Sequence, residues 1–205
     1  MARRQNLINQ RSKFYIITNG KETECDYFNA LKSKKSTYDV SVIFANKDPI
    51  GLVQYARDYL TESNQVWVVF DIDSTYEENR LVPAIKLAQT TGVKYAFSNL
   101  AFEVWLISHF RKCEQSLDTD GHKRLLDEYL NDKKKGLTYE KTDEESLRKY
   151  FIPYYKTAVN NAKIVYQKKK VEHENRYGSN SQPRIWEWNS CTTVYKLVEA
   201  LKLSE

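Results

Sequence analysis

The sequence predicts an α/β fold with a mainly parallel sheet and helices on both of its faces. Between residues 14 and 110, short apolar or β-branched runs alternate four times with longer runs of helical periodicity. Turn residues separate these runs. With 205 residues and 41% hydrophobic content, the chain can bury one sizeable core. An aromatic content of 13% argues against disorder.

The first half of the chain supplies four predicted strands, each followed by a helix. Asn19 and Gly20 form a turn after the first strand, and Tyr27, Phe28 and Leu31 form the buried stripe of the first helix. Gly92 is placed to end the third helix. The strands are predicted at residues 14–18, 39–45, 66–70 and 93–97, and the helices at 22–31, 50–60, 77–90 and 102–110.

After residue 110 the pattern becomes helical, and we expect residues 111–205 to form a helical extension, an insertion in or a cap on the α/β core of residues 14–110. Thr142 and Glu145 have the spacing of a capping box. Helices are predicted at residues 121–132, 153–175 and 192–203. Residues 1–13 are expected to form a flexible basic arm, for which simple fraying of the terminus is the other interpretation.

Composition narrows the class of protein. Most of the net charge of +5 lies after residue 110, which is mild evidence for a polyanionic partner, although ordinary proteins are often as basic. The three cysteines are far apart and have no CxxC spacing, so we expect neither a disulfide framework nor a zinc site. We therefore expect a cytoplasmic location. No apolar run approaches the length that spans a membrane, and the first residues lack the apolar segment of a secretory signal.

Acidic side chains follow two of the predicted strands. Asp71 and Asp73 come at the end of the third strand, where alternate positions would point to the same side. Glu22 and Glu24 follow the first strand, either as further ligands or as first-turn carboxylates favoured by the helix dipole. Because the carboxyl ends of parallel strands meet at one edge, we expect a site for Mg²⁺ (or Mn²⁺) there. Such an ion supports phosphodiester hydrolysis.

Four motifs in order then resemble a known family. NGKETECDYF resembles the motif EGEKTEPxYF of the RloB-like proteins, which belong to the TOPRIM-fold superfamily, and FDID resembles the DxD of that superfamily. SNLAFEVWLISHF resembles the family's SNPxFELWxLxHF, and NSCTTVYKLVEAL resembles its NPSTxVxxLVxxL. The resemblance implies a TOPRIM-like four-stranded, mainly parallel sheet between helices.

The resemblance also implies an activity and partners. It implies a metal-dependent nuclease of bacterial anti-phage defence (abortive infection), acting on DNA or on RNA such as tRNA. An ABC-type ATPase is the partner it implies. A homo-oligomer is compatible with the sequence.

One position departs from the superfamily pattern. Catalytic TOPRIM proteins have a Glu at the end of the first strand, where this chain has Asn19. Asn19 can still offer a metal its carbonyl oxygen, with Glu24 or Glu22 supplying the carboxylate. The alternative hypothesis is a catalytically weakened protein that acts as a nucleic-acid- or ATPase-binding subunit.

Four further residues are candidates near this edge. Glu103 lies in a strongly apolar helix and is expected either at the site or on a solvent-facing position. His109, six residues later, is expected more as a core or supporting residue than as a proton carrier. Ser98 and Asn99 end the fourth strand and are expected to line the same edge.

Basic residues are the candidates for binding nucleic acid, because cations contact phosphates and nearby aromatic rings can stack on bases. An ordinary solvated helix face is the other interpretation of those in the second half. The candidates are Lys21, Lys168, Lys169, Lys170, Arg176 and Arg184.

Overall fold

The computed structural model of the protein describes residues 12–73, 78–141 and 143–203, apart from the side chains at 78 and 79. Within these residues, one sheet has the strand order β2-β1-β3-β4-β5. The first four strands are parallel to one another, and β5 is antiparallel to β4. The strands are β1 (Lys13–Thr18), β2 (Asp39–Phe44), β3 (Gln65–Asp71), β4 (Lys94–Asn99) and β5 (Cys191–Thr192).

Helices cover both faces of this sheet. They are α1 (Thr23–Leu31), α2 (Pro49–Ala56), α3 (Glu78–Thr91), α4 (Glu103–Ser108), α5 (Thr119–Lys133), α6 (Glu144–Ser146), α7 (Tyr155–Tyr177) and α8 (Val194–Ala200). A π-helical segment (Leu147–Phe151) and a 3₁₀ turn (Ile152–Tyr154) join α6 to α7, and two further 3₁₀ turns lie at Arg57–Tyr59 and Ile185–Glu187. No helix among the described residues is both long and apolar enough to cross a membrane.

The predicted α/β architecture is confirmed, but the sheet has five strands where four were expected. The fifth strand comes from the extension, at the start of the segment predicted as the last helix, which begins instead at Val194. Side-chain hydrogen bonds hold this edge: the hydroxyls of Ser98 and Thr192 are 2.9 Å apart, and Thr193 accepts the N–H of Phe97 at 2.9 Å. Two residues are too few for strand periodicity to show in a sequence.

Four local predictions have different outcomes. Gly92 ends α3 as predicted, with φ of 84° and its N–H bonded to Ala88. Thr142 lies outside the described residues, and the cap of α6 is Asp143, which accepts the N–H of Ser146 at 2.9 Å. Pro153 lies in a 3₁₀ turn, so α7 begins two residues later than predicted. Of the predicted flexible arm, residues 1–11 lie outside the described residues, whereas Lys13 begins β1.

Alternation along β3 assigns its side chains to two cores. Val66, Val68 and Phe70 pack with α2 and α3 on one face. Trp67 and Val69 pack on the other face, where α4 is almost completely buried between the sheet and the extension. Asp71 continues the second series, so the carboxylate at the end of β3 is directed towards the layer that contains α1 and α4.

Candidate active site

Three carboxylates meet where β1, β3 and β4 end. Glu24 is in the first turn of α1, Asp71 ends β3, and Glu103 begins α4. Because β1, β3 and β4 are neighbours in the sheet, their carboxyl ends and the helices that follow lie side by side. The three side chains line one cavity of about 260 Å³. The described residues that line it are Gly20, Lys21, Glu22, Thr23, Glu24, Asp71, Phe102, Glu103 and Lys141.

Asp71 is the carboxylate with the least compensation. Its Oδ1 atom is buried and has no hydrogen-bond partner among the described residues. Burial raises the pKa of Asp71 well above its ordinary value, and the charges of Glu24 and Glu103 raise it further. The N–H of Phe102 and the ammonium of Lys141 lower this pKa by less. An uncompensated oxygen of this kind favours a bound cation or a proton.

Glu24 is buried, with 8% of its surface exposed, and lies against the backbone of Gly20. A Cβ atom at residue 20 would overlap its carboxylate, so Glu24 can hold this position only while residue 20 is a glycine. Burial raises the pKa of Glu24, and Glu103 and Glu22 add to this effect, whereas its own backbone N–H and Lys141 oppose it.

Glu103 is 6% exposed, so the solvent-facing interpretation of this residue is wrong. The hydroxyl of Tyr139 donates a hydrogen bond to its Oε1 at 3.1 Å, and the Nζ of Lys141 lies 3.8 Å from the same oxygen. The segment that carries both partners is tied to α1, because Thr23 donates its hydroxyl to the carbonyl of Lys141 at 2.9 Å. The extension therefore completes the surroundings of this carboxylate.

The cavity has a deficit of positive charge. Three buried or half-buried carboxylates face Lys141, whose side chain is 64% exposed and hence largely solvated. An all-oxygen donor set with excess negative charge suits a hard divalent cation. Within the described residues, however, no three acidic, His or Cys side chains already stand in an arrangement that could hold a metal ion.

Asp73 and Asn19 are not among the residues that line the cavity. The prediction that Asp71 and Asp73 point to the same side required β3 to continue through both, but the strand ends at Asp71. Ile72 is buried, and Asp73 is exposed. Asn19 is half-buried, and its N–H donates to the carbonyl of Val69 at 3.3 Å. Glu22 and Lys21 are exposed and lie at the rim of the cavity.

Ser98 and Asn99 do not line the cavity either. Both are buried and join β4 to the extension: Ser98 contacts the hydroxyl of Thr192, and the amide of Asn99 donates to the carbonyls of Ile185 and Trp186 at 2.9 and 3.1 Å. Their contacts are structural, and they hold the end of β4 that precedes Glu103.

His109 is a core residue, in agreement with the favoured interpretation. Its Nδ1 lies 3.0 Å from the carbonyl oxygen of Trp105, so Nδ1 carries the proton, and Nε2 accepts the hydroxyl of Tyr27 at 3.0 Å. Burial lowers the pKa of His109 to about 4. The imidazole is therefore neutral at pH 7.

Four of the five basic candidates of the second half are paired with acids. Lys168 contacts Glu114 at 2.6 Å, and Arg184 contacts Glu187 at 3.0 Å. Lys169 and Lys170 contact carboxylates of their own helix at 3.9 and 3.6 Å. Arg176 lies over the ring of Tyr177. These ion pairs reduce the positive potential that a nucleic acid would meet on this face of α7, where binding stays a prediction.

Tyr139 and Lys141 are the site residues that sequence reasoning missed. They belong to a polar segment between two predicted helices, which has no periodicity and no motif. The single available signal was an aromatic residue within a charged stretch, and that pattern is common in loops. Only the tertiary fold brings this segment to Glu103.

Of three comparisons with known proteins, one gives a match. A family model described as RloB-like protein matches residues 14–201. No curated protein and no solved structure gives a significant match.

Proposed function

This chain belongs to the RloB-like family, and on that premise we propose that it is a divalent-cation-dependent nuclease of the TOPRIM type. The observation that carries the proposal is the buried Oδ1 of Asp71, which has no hydrogen-bond partner among the described residues. It lies in the same cavity as the carboxylates of Glu24 and Glu103. Such an arrangement costs free energy unless a cation or a proton compensates the charge. A divalent cation bound by these carboxylates would compensate that cost.

The residues fit Mg²⁺ or Mn²⁺ in donor chemistry and in charge. Asp71, Glu24 and Glu103 are the side chains that would hold the ion, and its charge would offset the burial and the mutual repulsion that raise the pKa values of Asp71 and Glu24. When bound, the ion stabilises the negative charge that develops on a phosphodiester during hydrolysis.

The other residues of the cavity have roles that follow from their positions. Lys21 and Lys141 place ammonium groups at its mouth, where they would attract and orient the phosphates of a strand. Tyr139 holds Glu103 through its hydroxyl.

The test is a cleavage assay with Mg²⁺ or Mn²⁺ on single- and double-stranded DNA, total RNA and tRNA. We expect wild-type protein to cut at least one substrate and Asp71→Asn to lose at least about a hundredfold of the rate, as loss of an electrostatic catalytic group does. Asp58→Asn removes an exposed carboxylate outside the cavity and should cut normally. Cutting by Asp71→Asn at the wild-type rate, or cutting that persists in EDTA, contradicts the proposal.

Two observations favour a second candidate, a catalytically weakened subunit that binds nucleic acid or an ATPase. Asn19 replaces the Glu expected at the end of β1, and Asp73 lies outside the cavity lining. For such a subunit, wild-type protein should cut nothing and Mg²⁺ should leave its melting temperature unchanged. Cleavage that appears only in Asn19→Glu would identify a lost catalytic carboxylate.

The family resemblance also supports a role in bacterial anti-phage defence beside an ABC-type ATPase. Co-expression with such an ATPase, followed by co-purification, tests the partnership. Repeating the cleavage assay with the ATPase present shows whether the partner controls the activity. Light scattering of the purified chain tests the proposed homo-oligomer.

A further inference from the structure

A second cavity, of about 390 Å³, lies near the opposite end of the sheet, between the start of β4, the end of α3 and the extension. Its volume is within the range of about 300–1,000 Å³ typical of small-molecule sites. Four aromatic side chains contribute to its walls: Trp67, Tyr95, Phe97 and Tyr166. Trp67 precedes Asp71 by four residues on β3, about 13 Å along the strand, so this cavity is distinct from the carboxylate site.

The edge of the sheet is open beside this cavity. The short β5 pairs only with Ser98 and Asn99, so the first part of β4 has no strand partner on that side. Phe97 uses its N–H and C=O towards Thr193. Because backbone groups of alternate residues point to the same edge, the N–H and C=O of Tyr95 also face outwards there. No described residue hydrogen-bonds to them on this side.

Adjacent donor and acceptor groups on a strand edge match the edge of a purine ring. Adenine, for example, presents an acceptor nitrogen beside an exocyclic N–H donor. Aromatic walls favour a planar ring, because bases stack on the faces of such side chains. The indole N–H of Trp67 is buried without a hydrogen-bond partner among the described residues, so a ligand acceptor that reached it would supply a missing bond.

Two lysines add positive charge at the same cavity. Lys94 bonds to the neutral amide of Gln65, and the Nζ of Lys196 lies 4.2 Å from the ring centroid of Tyr166. Neither forms an ion pair with a carboxylate of the described residues. This contrasts with Lys168, whose charge Glu114 compensates. Two uncompensated ammonium groups beside an apolar pocket favour an anionic ligand group such as phosphate.

We propose that this cavity binds a purine nucleotide. The ring lies between the aromatic walls with its edge on the backbone of Tyr95, and Lys94 and Lys196 contact the phosphate. The same chemistry is presented by a free mononucleotide and by a purine residue within a strand. The proposal does not depend on the carboxylate site being a nuclease.

The test titrates AMP, ATP and UMP into the full-length Asp71→Asn variant in EDTA, by calorimetry and tryptophan fluorescence, so that the carboxylate site contributes neither metal binding nor cleavage. We expect saturable binding of AMP or ATP, weaker binding of UMP, and an affinity reduced about tenfold by Lys94→Gln or Lys196→Gln. Lys86→Gln, which removes an exposed lysine of α3 outside the cavity, is the matched control and should bind normally. Trp67→Phe should weaken binding, because it removes the indole N–H that would donate to the ligand, and should lose part of the fluorescence change.

A short oligo(dA) in the same titration distinguishes the two sources of the purine. If it binds more tightly than AMP and loses affinity in the same lysine variants, the natural ligand is a strand. If AMP binds more tightly, the ligand is a mononucleotide. The proposal is overturned if neither AMP, ATP nor oligo(dA) saturates the protein, or if the Lys94→Gln/Lys196→Gln double variant, folded by circular dichroism, binds as Lys86→Gln does.

Discussion

The carboxylate of Glu24 occupies the space that a side chain at Gly20 would need. This close approach packs the carboxylate of Glu24, in the first turn of the helix, directly against the β1–α1 turn. The hydroxyl of Thr18 reinforces that turn by donating to the carbonyl of Gly20 at 2.7 Å. The position of Glu24 within the cavity therefore depends on a residue that has no functional group of its own.

Gly20→Ala should displace Glu24 without unfolding the protein. The new methyl group overlaps the carboxylate, which has to leave the cavity or move within it. Since misplacing a catalytic group by about 1 Å can cost about a hundredfold, we expect cleavage to fall between tenfold and a hundredfold. A double-mutant cycle with Glu24→Ala is the control: if Gly20→Ala acts through Glu24, the double variant is no worse than Glu24→Ala alone. Additive losses would contradict this mechanism.

Asp71→Asn should raise stability at pH 7 in the absence of divalent cations. The pKa of Asp71 is raised in the folded state, so its contribution to stability is fully present below the unfolded pKa and is lost as pH rises through the folded pKa. A neutral amide avoids that loss. We expect a gain of about 1 kcal/mol, or about 2–4 °C in melting temperature. Calorimetry in EDTA from pH 4 to pH 8 should show the gain growing with pH.

The same pair of proteins tests cation binding. Mg²⁺ or Mn²⁺ should raise the melting temperature of wild-type protein, since a ligand that binds only the folded state stabilises it. It should leave Asp71→Asn nearly unchanged, and Asp58→Asn should respond as wild type does. An equal shift in wild type and Asp71→Asn would place the ion elsewhere.

Tyr139→Phe should destabilise the protein and weaken the site together. The change removes the hydrogen bond to Glu103, whose carboxylate is buried. Loss of a donor to a buried charged group costs about 1–3 kcal/mol, which urea denaturation would measure. Tyr15→Phe is a suitable control, because the hydroxyl of Tyr15 forms no hydrogen bond with any described residue. Equal stabilities for the two variants would contradict this role of Tyr139.

His109 should make the protein sensitive to acid. Its pKa is about 4 in the folded state against about 6.5 when unfolded, so its contribution is present above the unfolded pKa and is lost as pH falls through the folded pKa. The expected loss is roughly 3 kcal/mol between pH 6.5 and pH 4. His109→Phe should flatten this part of the stability profile, although it removes the partner of Tyr27. NMR titration of the imidazole should give a midpoint near pH 4.

The sequence predicted the sheet well because strong local signals cover it. Buried parallel strands such as Val66–Phe70 form apolar runs, and residues such as Gly92 mark helix ends through a backbone conformation that glycine adopts easily. The end of β3 was harder to predict. The sequence pattern would allow strand alternation to continue through Asp73, but in the structure the strand ends at Asp71.

The sequence predicted the residues of the candidate site that lie at a strand end or at the start of the helix that follows it. The rule that the carboxyl ends of neighbouring parallel strands meet at one edge identified Glu24 and Asp71. Glu103 was identified as a carboxylate within a strongly apolar helix. Tyr139 and Lys141 could not be found this way, because their approach to Glu103 depends on the path of a segment without periodicity. The sequence also could not predict which charges are compensated, since Lys168 contacts Glu114 only in the folded chain.

The late position of β5 has a consequence for synthesis on the ribosome. Thr192, which closes the edge of β4 at Ser98, is 94 residues later in the chain. At roughly 5–20 residues per second, translation would leave that edge unpaired for about 5–20 s after β4 is made. During this interval the nascent chain would present an apolar strand edge to neighbouring molecules, so its yield in cells should depend on chaperones that cover such edges.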